Sequence, residues 1–423
     1  MAVESILNRP RSRSTLKAQA PTLPLELQFL ILDVVVGEAG SPTIQREPTL
    51  QACMSVCRPF YDYLTPIVYK RIVCYSSTHT KEAHGFLSRS PHLLKHVREL
   101  SLRKAKESSW MDKGSLVENL LILLSENALE DLSITFTDRR VVWMELRDNI
   151  RTALLKATGP GSRLHTLSLV NAEISRNLFD GLSSEIRVLD IRGTTLPFQR
   201  HHNFGKVPMS PIPRPQLKVE RIALFHSRDV VAHLCNRELD IAFPELKTID
   251  LPSGYPALSA DSIEHLIRHA PNLERLRVSV NKGGIWRPLD FNWLTCKGPF
   301  KHLEIDHNLT GLASTVLPSL VHSAEAVVSP SKLETVRVVA KRSADQDGTF
   351  DFPLALSQWV VSLDLREELR RPCFPNMESI VFDFRELRLP PFGAQVLRKW
   401  VAGREAARGS TEELTKFRVE YLL

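Results

Sequence analysis

Leu246-Lys247-Thr248-Ile249-Asp250-Leu251 decides the fold, together with its echoes Leu273-Glu274-Arg275-Leu276-Arg277-Val278 and Phe300-Lys301-His302-Leu303-Glu304-Ile305. Each reads apolar-x-x-apolar-x-apolar, and successive copies start 27 residues apart. The closing apolar-x-apolar has a period of two, which puts both side chains on one face of a strand. The first apolar residue packs where the chain turns into that strand.

The same pattern extends in both directions. Upstream stand Val97-Leu100-Leu102, Leu129-Leu132-Ile134, Leu164-Leu167-Leu169, Ile186-Leu189-Ile191 and Val219-Ile222-Leu224. Downstream stand Leu333-Val336-Val338, Met377-Ile380-Phe382 and Leu414-Phe417-Val419. Segments with helical spacing lie between them, including Leu120 to Leu124, and 261–269 with Pro271 behind it. A strand and a helix every 22 to 44 residues predict an α/β solenoid, an open parallel sheet backed by helices. No unit buries its own apolar side, so neighbours must stack into one continuous core.

These units resemble leucine-rich repeats, whose longer form ends in an Asn that bonds the backbone at the turn after each strand. Asn281 and Asn308 match it; elsewhere the position holds Ala105, Thr137, Ala172, Thr194, Ser227, Gly254 or Lys341. The array is therefore expected to be irregular over 74–423. The resemblance puts the outward strand positions on a concave surface: Ser101, Ser133, Ser168, Asp190, Asp250, Arg277, Glu304 and Arg337. Their charge rises along the chain, so substrate contact is expected at Asp190, Asp250, Arg277, Glu304 and Arg337. The alternative is that these positions simply face water. Insertions at 197–215, 283–298 and 341–352 break the rhythm, the second carrying Trp286 and Trp293. They are candidates for partner contact, or loops lapping the repeat edge.

The first seventy residues lack the repeat. Pro24 and Glu26 suit a helix start, and Leu23, Leu27, Leu30, Ile31 and Val34 fall at helical spacing. A second helix is expected from Thr49 through Arg58, a break at Pro59, and a third short helix stopping near Pro66. The set Leu23-Pro24-x-Glu26-Leu27, Leu50-x-x-Cys53-x-x-Val56-Cys57-Arg58, Phe60-x-x-x-Leu64 and Pro66-x-x-Tyr69 resembles the F-box. Pro59 ahead of Phe60 departs from that pattern, as does the long linker between the first two helices. The domain plan is thus a disordered basic tail (1–20), an all-α F-box-like module (21–73) and the repeat array.

The resemblance implies a substrate-recognition subunit of a Skp–cullin–F-box type ubiquitin ligase. A Skp-family adaptor would dock on Leu23, Pro24, Leu27, Ile31, Val56, Cys57 and Phe60 and link the chain to a cullin–RING ligase. The repeats would hold a protein substrate of unknown identity. The competing expectation is a free-standing repeat scaffold with no ligase link, its first helices capping the array.

Composition limits the other classes. The chain has 423 residues, 43% apolar content and a net charge of +7 with both signs spread along it. Arg9, Arg11, Arg13 and Lys17 form no stripe long enough to predict nucleic-acid binding. No apolar run reaches the ~18 residues of a membrane helix, and six scattered Cys do not make a disulfide framework. The expected setting is cytoplasmic or nuclear. No phosphate loop, dinucleotide fingerprint, nucleophile elbow or metalloprotease helix is present, so no enzyme, cofactor or metal is expected. Cys53/Cys57, His92/His96 and His265/His269 are four apart but lack further ligands at metal spacing. They read as buried structural cysteines and solvated helix faces.

Overall fold

The structure, a computed structural model, describes residues 23–37, 47–104, 115–137, 141–196, 217–225, 227–234, 243–252, 266–267, 269–280, 300–308, 332–341, 378–385 and 418–422, with a few single positions besides. The insertions at 197–215 and 283–298 lie outside these residues, as do 342–352, the basic tail and His265. The chain divides into two units, Met1–Tyr69 and Lys70–Leu423.

The described residues of the first unit form three helices: α1 (Leu25–Gly37), α2 (Glu47–Met54) and α3 (Arg58–Val68). Leu32, Leu50, Met54 and Leu64 form its core, with Phe29, Val35, Val36, Phe60, Tyr63 and Ile67 packed around them. Phe29 stacks on Tyr63 at 4.6 Å between ring centroids. The Tyr63 hydroxyl donates to Asp33, tying α3 to α1. Two expectations fail here. The second helix stops at Met54, in a turn at Ser55-Val56, so Cys57 is not helical. Pro59 opens α3 rather than breaking a helix, because the first turn needs no intrahelical N–H. The helix also runs on through Pro66, and the Tyr69 N–H reaches Thr65 O to close its last turn.

Among the described residues, twelve strands of the second unit form one open sheet, all neighbours parallel. In chain order the strands are β1 (Arg71–Cys74), β2 (Glu99–Lys104), β3 (Asp131–Phe136), β5 (Thr166–Val170), β7 (Val188–Arg192) and β8 (Arg221–Phe225). β9 (Thr248–Pro252), β10 (Arg275–Val280), β11 (His302–Asn308), β12 (Thr335–Lys341), β13 (Ser379–Asp383) and β14 (Arg418–Leu422) complete it. The short β4 (Val141–Val142) and β6 (Ala172–Glu173) pair separately.

Leu100, Leu132, Leu167, Leu189, Ile222, Ile249, Leu276, Leu303 and Val336 stand in one register across the sheet. All nine are buried. Helices back this apolar face: Ser77–Arg89 packs on Ser115–Ser125, which packs on Asp148–Thr158. The mixed α/β architecture with a parallel sheet is therefore as expected.

The array starts one unit earlier than the sequence suggested. Ile72 and Cys74 pair with Leu100 and Leu102, so β1, all but Cys74, falls inside the stretch assigned to the helical module. Tyr69-x-x-Ile72-x-Cys74 is the same pattern with a Tyr and a Cys in apolar places. The last strand is displaced by two residues. Val419 and Tyr421, not Phe417 and Val419, align with Ile380 and Phe382. A slip of two preserves the face, so alternation alone cannot detect it.

Two devices hold neighbouring units in register. At every junction from Lys70 to Glu334, the carbonyl before one strand accepts two consecutive N–H groups from the next unit. Residues on this rung alternate in sign through Arg187, Glu220, Lys247, Glu274, Lys301 and Glu334. Ion pairs join Lys247 to Glu220 at 3.6 Å and Lys301 to Glu334 at 2.7 Å. At the other strand end, hydroxyls act where Asn was expected. Buried Thr194 donates through Oγ1 to Leu169 O, and buried Ser227 donates to Ile191 O while accepting the Thr194 N–H. Asn171, one place early and at positive φ, donates through Nδ2 to Phe136 O.

Candidate functional site

Helix α1 is apolar on two opposite sides. At ~100° per residue, Phe29, Leu32 and Val36 share one side and lie on the core cluster. Leu27, Leu30, Ile31 and Val34 share the other. They are 45%, 58%, 54% and 58% exposed. Leu23, just before the helix, and Leu25, in its first turn, are exposed as well. Pro24 fixes that start, its carbonyl accepting the N–H groups of Leu27 and Gln28. A helix that is apolar all round is ordinarily covered all round. Covering the exposed parts of these four side chains is worth ~1 kcal/mol each.

The seven residues expected to meet an adaptor do not all share this exposure. Leu23, Pro24, Leu27 and Ile31 are exposed on or beside α1, and Val56 and Cys57 are exposed in the turn before α3. Cys57 is therefore not the buried structural cysteine expected, because α2 ends before it. Phe60 is half-buried and packs on the first unit's own core, 6.5 Å from the Phe29 ring. Leu30 and Val34, not named for docking, are as bare as Ile31.

The residues expected to meet a substrate do share a row. Asp190, Ala223, Asp250, Arg277, Glu304 and Arg337 stand in one register on the polar face of the sheet. Their charges, however, are engaged with one another and with nearby side chains. Arg221 holds Asp250 Oδ2 through Nε and Nη2, at 2.9 and 2.6 Å. Arg192 pairs with Asp190 at 2.8 Å. Glu304, 5% exposed, is gripped by Arg275, by Arg277 at 3.2 Å and by Arg337 at 3.5 Å. Arg277 also binds Asp306 through two nitrogens, and Arg337 pairs with buried Asp383, which Arg385 holds at 2.8 Å. The result is one continuous network across β10 to β13. Burial pushes the Asp383 carboxyl up, but hydrogen bonds from Arg385 and Arg337 outweigh it and hold it well below the usual carboxylate range. Sequence spacing could not reveal these pairs, whose partners lie up to 46 residues apart.

Among the described residues, Cys53/Cys57 and His92/His96 gain no ligand set; His265 lies outside them. His92 and His96 sit on a 3-10 helix, Pro91–His96, where four residues span more than one turn, so the two positions do not stack as they would four apart on an α-helix. Among the described residues, no three His, Cys, Asp or Glu side chains converge as metal ligands. No helix among them is long and apolar enough to cross a membrane. No protein-family model matches the chain, and no curated protein matches it.

Proposed function

We propose that the chain is a substrate-recognition subunit of a Skp–cullin–F-box type ubiquitin ligase, acting as a binding protein rather than a catalyst in the cytoplasm or nucleus. The first unit is then an F-box that docks a Skp-family adaptor, and the second an irregular leucine-rich-repeat array that presents a protein substrate. One observation carries the reading: α1 packs one apolar side and leaves the opposite one uncovered, on the residues that give the sequence its F-box likeness. An apolar surface is thereby left for another protein. The leucine-rich assignment draws support from the single-strand units and from the turn bonds of Asn171, Thr194 and Ser227.

The test is capture of a purified Skp-family adaptor by the full chain, with Leu27→Asp and Ile31→Asp as the diagnostic variants. A charge on this face is expected to cut affinity at least ~100-fold, since it must be desolvated against an apolar partner. Absence of capture by folded wild-type chain overturns the ligase reading and leaves the free-standing scaffold.

A further inference from the structure

The bare face of α1 has an asymmetric charged rim, and we infer that its partner carries basic side chains along one edge of the contact. This rests on the docking reading above and specifies the chemistry of the occupant. Glu26 and Asp33 are seven residues apart on α1, which places them on the same side of the helix, about 10 Å from each other. Both are exposed, and both lie on the edge of the apolar strip formed by Leu27, Leu30, Ile31 and Val34. Asp33 uses one carboxylate oxygen to accept the Tyr63 hydroxyl, so its charge is held in place. No Lys or Arg occurs anywhere on α1. Arg58 and Asp62, on α3, pair with each other at 3.7 Å. The opposite edge of the strip carries uncharged Gln28 and Val35.

Charge complementarity selects among occupants. A second copy of this chain docked antiparallel, helix to helix, would bring two acidic rims together, which opposes association, and one docked parallel would set each rim against the uncharged Gln28 edge, where it gains nothing. A partner element with an apolar ridge and Lys or Arg on one flank satisfies both the strip and its rim. Such a rim sets orientation, because reversing the partner moves its basic flank to the Gln28 edge.

The experiment uses the full chain and a purified Skp-family adaptor, with binding measured at 50 mM and 500 mM salt. Three variants are compared with wild type: Glu26→Lys combined with Asp33→Asn, Leu27→Asp, and Asp62→Asn as a charge change off α1. Circular dichroism checks that each stays folded. The rim variant is expected to weaken binding about 10-fold at low salt and less than about 2-fold at high salt, because exposed charge pairs are screened. Asp62→Asn is expected to leave affinity within about 2-fold. Unchanged or tighter binding by the rim variant, with Leu27→Asp still abolishing capture, overturns the basic-flank inference alone. Capture that survives Leu27→Asp overturns the docking reading and this inference with it. Concentration-dependent dimerisation of wild type, lost on Leu27→Asp, also overturns it by identifying a second copy as the occupant.

Discussion

Helix α1 and the polar face of β10–β13 are both surface regions rich in the residues that bind partners, yet they treat those residues in opposite ways. On α1, four large aliphatic side chains stand uncovered beside a pair of acids. Across β10–β13, Arg275, Arg277, Arg337 and Arg385 are spent on Glu304, Asp306 and Asp383 of the same sheet. The first arrangement leaves its chemistry open to another molecule. The second satisfies itself. Charge on a sheet face is therefore a poor guide to recognition until its partners are known, whereas an apolar helix side with nothing on it is informative by itself.

The strongest way to break this contrast is to open the network. Arg337→Ala removes a partner from both Glu304 and Asp383, two carboxylates that remain buried. Glu304 keeps Arg275 and Arg277 and Asp383 keeps Arg385, so the loss is that of charge-assisted hydrogen bonds to buried carboxylates, ~1.5–3 kcal/mol, and the sheet's urea midpoint should fall while capture by the proposed adaptor is unchanged. A fall in substrate or adaptor binding without loss of stability would instead make Arg337 a recognition residue. Next in size, Ser227→Ala deletes the acceptor of the buried Thr194 N–H and a donor to Ile191 O. An unsatisfied buried N–H costs ~1–3 kcal/mol, and the same denaturation measurement reads it.

The acid limb sharpens the comparison further. Asp383 has a depressed folded-state value, so its contribution is present above the ordinary carboxylate range and is lost as pH falls through the folded value. Stability owed to this group should hold steady from neutrality down to about pH 4 and decline below it. Asp383→Asn is expected to lower stability at neutral pH and to flatten that decline. A decline equally steep in the variant would assign it to other carboxylates.

Much of the array was legible because alternation is a local property. Leu132, Leu189, Ile249 and Leu276 announce the buried side of their strands with no knowledge of neighbours, and all are buried. The edges of that legibility have physical causes. Tyr69 and Cys74 hid β1, since neither counts as strongly apolar although Cys74 is fully buried. The two-residue slip at β14 hid in the period of the strand itself. Thr194 and Ser227 looked like lapses from an Asn rule, but their hydroxyls bond backbone carbonyls of the neighbouring strand. On the site, helical spacing picked out Leu27, Leu30, Ile31 and Val34 together. It could not say that Phe29, Leu32 and Val36 take the core while they do not, because α1 is apolar on both sides. Nor could spacing foresee that Phe60 turns inward, a matter of tertiary contact with Phe29.

The smallest expected effect on stability is the most telling for function. Val34→Ser and Ile31→Ser each replace a side chain that is more than half exposed and outside the first unit's core. In a self-sufficient helix such changes cost only propensity and residual contact, within ~0.5 kcal/mol. In a helix built to be covered by a partner, the same changes remove apolar area from that contact, and each should weaken adaptor binding about 5- to 30-fold. Equilibrium denaturation and binding measured on the same variants separate the two cases. If Ile31→Ser destabilises the free chain as Leu32→Ala does, α1 is covered by the chain itself and its outer side is not a docking face. If stability holds while affinity falls, the aliphatic residues on that side are kept for a contact made only in the complex.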